Sequence, residues 1–285
     1  MPAEPPVVSP SSLAEAYAVA ARTDHRPLAG GTDLLVQISG EIGPTPEHVL
    51  DLWQVPELRG IAVRDDALEL GALTTYTEIR RSAACAEHTP ALVEAAATIG
   101  AAQIQNRGTI GGNVMNASPA GDTLPVLLAL DAELVAGSAA GERRIPAAAF
   151  WPAYRTTALR PDELLVRIRI PLVADRQQRF RKVGTRRAQA ISKVVICLAW
   201  RPDAAADRWR DVRLALGSVA ATPIRAILTE AVLEGGRPTP ETAERAVAAL
   251  TAELEPIDDV RSTAAYRREV AGRVLHRLLR DAGGW

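Results

Sequence analysis

The side chains of this 285-residue chain that could do chemistry concentrate in two glycine-bearing segments. Thr109, Ile110, Gly111, Gly112 and Asn113 are followed by Asn116, Ser118 and Asp122, so hydroxyl, amide and carboxylate groups crowd between two apolar runs. Glycines let a ligand approach the backbone, and consecutive N–H groups in a turn form a concavity for phosphate oxygens. These residue types predict a cofactor cradle in which Asn113, Asn116, Ser118 and Asp122 meet the ligand's hydroxyl groups. A second segment, Gly30-Gly31-Thr32-Asp33, follows Leu28 and Ala29 and runs into Leu34. A strand leading into paired glycines is a weaker phosphate signal, which gains weight from the first.

Other chemistry is excluded by absence. The sequence has no Gly-x-Gly-x-x-Gly fingerprint, no Gly-x-x-x-x-Gly-Lys-Ser/Thr loop and no Gly-x-Ser-x-Gly elbow. Cys85 and Cys197 lie far apart, and the four histidines lack ligand spacing, so no metal site is expected on this chain. No catalytic acid or base set is visible, and the chemistry has to belong to a cofactor. With 33 basic and 34 acidic residues, neither a nucleic acid nor a membrane surface is the expected partner. No run approaches the roughly 20 apolar residues of a membrane span, and the proline-rich first ten residues differ from a secretory signal. The expected compartment is the cytoplasm.

Several elements must position these segments. Ser12 and Glu15 form a capping-box pattern for a helix reaching Ala21, residues 26–29 read as a strand, and residues 34–38 continue as an apolar segment. Strands are predicted at 49–52, 61–63 and 67–72, a helix capped by Thr74 and running to about Ser82, and another from Thr89-Pro90 to Ile99. Residues 124–130 predict a buried helix, 132–136 a strand and 137–141 a hairpin turn. Residues 164–170 predict a half-buried strand with Leu165, Arg167 and Arg169 opposite Leu164, Val166, Ile168 and Ile170. A boundary fits between Pro171 and Gln178. Beyond it come three strands at 180–183, 192–201 and 209–219, then helices at 225–233 and 239–254. In the last helix Ser262 is the expected cap, Tyr266, Val270, Val274 and Leu278 form the stripe, and Arg267 belongs to a solvated basic face. The basic run Arg176, Arg179, Arg181, Lys182, Arg186 and Arg187 also reads as a solvated face, and Trp151, Trp200 and Trp209 as core or subunit interface. The fold class is α+β, with expected domains at 1–57, 58–175 and 176–285.

Leu28-Ala29-Gly30-Gly31-Thr32-Asp33-Leu34 and Thr109-Ile110-Gly111-Gly112-Asn113, extended through Ala117-Ser118-Pro119 to Asp122, resemble the two flavin loops of the molybdenum hydroxylase family. That family includes xanthine dehydrogenases and aerobic carbon monoxide dehydrogenases, whose medium subunit carries FAD. Leu73-Thr74-Thr75 with Ile79, Tyr154-Arg155, Glu163-Leu164-Leu165, Ile191-Ser192-Lys193-Val194 and Ser262 with Tyr266-Arg267 fall in family order, so the resemblance covers nearly the whole chain.

The resemblance implies a two-subdomain FAD-binding fold of the PCMH or vanillyl-alcohol oxidase-like type. A C-terminal domain of a three-stranded antiparallel sheet and a helical bundle follows it. Non-covalent FAD is implied across the two subdomains, with Asn116, Ser118 and Asp122 near its phosphate or sugar oxygens, and Leu165 and Lys182 against the flavin region. Lys182 and Lys193 are the only lysines among the 33 basic residues, which favours a compact ammonium where an arginine fork does not fit, with chance clustering the rival reading. Partner subunits are implied as well: a large one with the molybdenum cofactor, which oxidises the substrate, and a small one with two 2Fe–2S clusters, in a dimer of heterotrimers. Electrons would pass from those clusters through FAD to NAD or another acceptor. The segment Arg186-Arg187-Ala188-Gln189-Ala190 departs from relatives that carry an acidic or aromatic residue there, which leaves the acceptor open. The alternatives are a stand-alone flavoenzyme of this fold and a flavin-free structural or assembly subunit.

Overall fold

A computed structural model describes residues 5–22, 25–42, 44–186 and 189–285. Arg187 and Ala188, and the first four residues of the proline-rich start, lie outside them.

Two short strands, β1 (Val7–Val8) and β2 (His25–Leu28), flank β3 (His48–Asp51) in a parallel sheet. Parallel neighbours need crossovers. α1 (Leu13–Ala20) and α2 (Leu34–Ser39) lie in the connections. Ser12 caps α1, accepting the Glu15 N–H at 3.3 Å, whereas the Glu15 carboxylate turns to the Ser11 N–H at 2.8 Å. The capping pattern is thus half realised. Ala16, Leu50, Leu52, Val55 and Leu58 build a small core shared with Leu164 and Val166.

The middle of the chain gives β4 (Ile61–Arg64), β5 (Ala67–Gly71) and the helices α3 (Tyr76–Arg81), α4 (Ala83–His88), α5 (Pro90–Thr98), α6 (Ala102–Gln105), α7 (Ile110–Asn116) and α8 (Leu124–Ala129). β6 (Glu133–Ser138), β7 (Gly141–Pro146) and β8 (Leu164–Pro171) complete an antiparallel sheet of order β4-β5-β8-β6-β7. Thr75, not Thr74, caps α3, in a complete capping box with Glu78. Thr74 instead donates to the Gly60 carbonyl at 3.1 Å.

β8 is the central strand and is buried on both faces, not half-buried. Arg169, 7 % exposed, is neutralised there by Asp66, Glu69 and Glu133 at 2.8–2.9 Å. A β-bulge changes its alternation as well. Val135 pairs with Arg167 but Ala136 with Leu165, leaving Val166 extra. Leu165 consequently joins Ile168 in the main core, while Leu164 and Val166 face α1.

The C-terminal sheet has four antiparallel strands, not three: β9 (Gln177–Val183), β10 (Val194–Asp203), β11 (Arg208–Gly217) and β12 (Ile224–Arg225), in the order β12-β11-β10-β9. β12 falls where a helix start was expected. Two residues are too few to show a period, and Ile224 and Arg225 are fixed by pairing with Leu216 and Ala215. The helix begins after it as α9 (Ile227–Leu233), followed by α10 (Pro240–Glu253) and α11 (Ala264–Gly283). Along β10, Val194, Ile196, Leu198 and Trp200 pack against the helices, while Val195, Cys197 and Ala199 face the core of the middle segment. Both faces are therefore covered.

Thr263, not Ser262, caps α11. Arg267 is 4 % exposed, contrary to the solvated face expected, because its guanidinium serves the carbonyls of Lys193 and Ser218 and the Asp259 carboxylate at 2.8–2.9 Å. The Arg176 side chain, in the basic run, is likewise only 6 % exposed, against Asp131 and Asp211. Trp151, Trp200 and Trp209 are buried, and the last two stack at 4.4 Å. Among the described residues no helix is long and apolar enough to cross a membrane, and no group of three or more His, Cys, Asp or Glu side chains could hold a metal ion.

Candidate functional site

β2 delivers the chain to Gly30 at the seam between the parallel sheet and the middle segment. A Cβ on Gly30 would stand 1.8 Å from the Arg107 carbonyl oxygen, so only glycine allows this contact. Gly31 has φ +78°, in the left-handed region that favours glycine. Gly30, Gly31, Thr32 and Asp33 line a cavity of about 1000 Å³. Among the described residues, their four consecutive N–H groups donate to no protein acceptor.

The second segment behaves differently from the turn expected of it. Thr109 caps α7, accepting the Gly112 N–H at 3.0 Å. The Ile110 N–H goes to the Thr74 carbonyl and the Gly111 N–H to the Ala72 carbonyl, both at 2.9 Å, and the Asn113 N–H to the Thr109 carbonyl at 3.1 Å. Every N–H in the first turn of α7 is thus consumed in folding. Gly111 is required for packing, since its Cβ would stand 2.5 Å from the Ala72 carbonyl oxygen. The segment contributes side chains to the cavity more than backbone donors.

Those side chains have definite partners. The Asn113 Oδ1 accepts from the Thr123 hydroxyl at 2.6 Å. The Asn116 amide donates to Asp33 Oδ1 at 3.3 Å and its Oδ1 accepts from Arg155 at 2.9 Å, tying the two segments together. The Ser118 Oγ accepts the Ala120 N–H at 3.3 Å. At the base, Asp122 Oδ2 accepts from Lys182 Nζ at 2.6 Å and Oδ1 from the Ser192 hydroxyl. Lys182 also donates to the Thr98 carbonyl at 3.2 Å. Burial pushes the Asp122 carboxyl upward, and the Lys182 ammonium and Ser192 hydroxyl pull it back.

Of the expected site residues, Leu28, Ala29, Gly30, Gly31, Thr32, Asp33, Leu34, Thr109, Gly111, Gly112, Asn113, Asn116, Ser118, Asp122, Leu165 and Lys182 line this one cavity. Ile110 does not; it is fully buried beside the wall. Tyr154, Arg155, Glu163, Gln189, Ser192 and Arg267 also contribute to the lining. So does Tyr76, which sequence reasoning missed, because nothing separates it from an ordinary core aromatic on α3. The cavity combines an apolar wall with N–H and O–H donors, as an extended anionic cofactor requires. The donor row and the volume fit a dinucleotide.

Comparison with known proteins gives the same answer from another direction. Residues 3–173 match the FAD binding domain in molybdopterin dehydrogenase, and residues 179–282 the CO dehydrogenase flavoprotein C-terminal domain. The glyceraldehyde dehydrogenase medium chain of Sulfolobus acidocaldarius is 32 % identical over 271 residues, spanning 94 % of this chain and 95 % of that one. The carbon monoxide dehydrogenase medium chain of Hydrogenophaga pseudoflava is 31 % identical over 281 residues, spanning 96 % and 95 %. A solved structure of carbon monoxide dehydrogenase from the same organism, lacking the Mo-pyranopterin moiety of the molybdenum cofactor, superposes with a TM-score of 0.92 at 31 % identity, covering 97 % of this chain and 96 % of that one.

Proposed function

Because the chain belongs to the molybdenum hydroxylase family as an FAD-binding medium subunit, we propose that its cavity holds one non-covalent FAD and that the subunit serves electron relay. It is an oxidoreductase subunit whose own residues bind and orient. When bound, FAD would supply the redox chemistry, linking the iron–sulfur clusters of a small partner to NAD or another acceptor. The molybdenum cofactor and substrate oxidation belong to a large partner, in a dimer of heterotrimers in the cytoplasm. The proposed division at 57/58 and 175/176 gives each unit one of the three sheets.

The observation that carries this reading is the row of N–H groups from Gly30 to Asp33, which meet no protein acceptor among the described residues and line one cavity with Asn113, Asn116, Ser118 and Asp122. Four adjacent donors suit a diphosphate. Asn113, Asn116 and Ser118 suit sugar and ribityl hydroxyls, while Leu28, Ala29, Leu34 and Leu165 give apolar walls. Thr109, Gly111 and Gly112 hold α7 in place, with Ile110 behind them. Lys182, fixed by Asp122, keeps an ammonium hydrogen for the ligand's polar edge.

Purified chain incubated with FAD and desalted should retain visible flavin absorption at one equivalent. A colourless protein would overturn the reading. Co-purification with a molybdenum chain and an iron–sulfur chain tests the partners. Offering the reduced complex NAD, oxygen and a quinone in turn identifies the acceptor.

A further inference from the structure

Tyr76 opens α3 immediately after its capping Thr75. Its side chain is 3 % exposed and its ring edge lies against Gly108, where a Cβ would stand 3.0 Å from Cε2. Its N–H donates to the Gly108 carbonyl at 3.2 Å. Gly108 follows Arg107, the residue whose carbonyl meets Gly30. The helix therefore delivers a phenol to the seam where the two glycine segments meet, and the side chain lines the cavity.

Among the described residues the Tyr76 hydroxyl has no hydrogen-bond partner, and it is not one of the polar atoms sealed inside protein. A hydroxyl so nearly buried ordinarily finds a partner. Here the cavity is where one can come from. We propose that Tyr76 is a ligand-binding residue whose hydroxyl donates to the diphosphate of the bound dinucleotide, extending the donor row of Gly30 to Asp33. This rests on the FAD reading given above. Burial, with the carboxylates of Asp33 and Asp122 nearby, holds the phenol far above its ordinary pKa, so it stays a donor. Both carboxylates are already engaged, Asp122 by Lys182 and Ser192 and Asp33 by Asn116, which leaves the hydroxyl to an incoming anionic oxygen.

Tyr76→Phe removes the hydroxyl and keeps the ring. Because no protein partner is lost, the apoprotein should melt at the wild-type temperature, while FAD affinity, read by flavin fluorescence titration, falls about 10- to 100-fold. With FAD at saturation, a ³¹P resonance of the bound diphosphate should differ between wild type and variant. Equal FAD affinity in the two proteins overturns the proposal and leaves the FAD site standing. Weaker binding with unchanged ³¹P shifts also overturns it, placing the hydroxyl elsewhere on the ligand. A wild-type chain that takes up no FAD defeats the cavity reading itself, and the proposal with it.

Discussion

Lys182 Nζ stands 2.6 Å from Asp122 Oδ2, with the two side chains 10 % and 8 % exposed. The pair joins β9 of the C-terminal sheet to the end of the second glycine segment, sixty residues earlier in the chain. It is completed by the Ser192 hydroxyl on Oδ1 and the Thr98 carbonyl on the ammonium. In so dry a place neither charge is tolerated without the other.

Breaking the pair from one side should therefore be expensive. Asp122→Asn and Lys182→Met are each expected to lower stability by about 3–5 kcal/mol, measured by urea unfolding. The double variant should lose less than the sum of the singles. Strict additivity would show that the two groups do not act as a unit.

Hydrogen exchange distinguishes the two glycine segments. In the apoprotein the amides of Ile110, Gly111, Gly112 and Asn113 already have acceptors, whereas among the described residues those of Gly30, Gly31, Thr32 and Asp33 have none. FAD should slow exchange mainly at the first segment and change little in the first turn of α7. Protection appearing chiefly at residues 110–113 would refute the assignment of the diphosphate.

The glycines should also differ. Gly30→Ala forces the first segment away from Arg107 and is expected to cost about 1–3 kcal/mol or more, together with loss of retained flavin. A Cβ on Gly112 meets nothing nearer than the Thr109 hydroxyl at 3.0 Å, so Gly112→Ala should disturb folding less. Thermal melts and flavin content of the two variants make the comparison; equal damage contradicts it.

Glu163 supplies a pH signature. Hydrogen bonds from Arg143 at 2.7 and 2.8 Å, opposed by desolvation and helped by the Arg160 N–H, hold its carboxyl below the usual 4.5. A depressed carboxyl contributes stability that is present above its unfolded pKa and is lost as pH falls through the folded one. Glu163→Gln should thus be less stable than wild type near pH 7 by about 1.5–3 kcal/mol. The gap should close as pH drops from 4.5 through the lower folded value. A gap independent of pH assigns the effect to packing alone.

Much of the site was legible in the order of residues. The Gly30-Gly31-Thr32-Asp33 segment, the cluster from Thr109 to Asp122, and the scarcity of lysine that drew attention to Lys182 are local signals, readable because residue type and spacing alone restrict what a short stretch can do. The amphipathic period of α11 and three of the four strands of the C-terminal sheet were legible for the same reason.

Tertiary structure decided what depends on distant partners. Leu165 alternates with the arginines in sequence, but the β8 bulge opposite Val135 and Ala136 turns it to the core and cavity. Arg267 reads as solvent-facing until Lys193, Ser218 and Asp259 surround it. The four-strand sheet depends on a two-residue strand with no period of its own. The two glycine segments look alike in sequence, yet Thr74, Ala72 and the capping Thr109 take the second one's donors, while among the described residues the first one's meet no protein acceptor. A sequence displays which groups can donate and accept. Which of them the fold uses up is settled by long-range pairing, because each backbone N–H makes its bond with whatever acceptor the packed chain brings within reach.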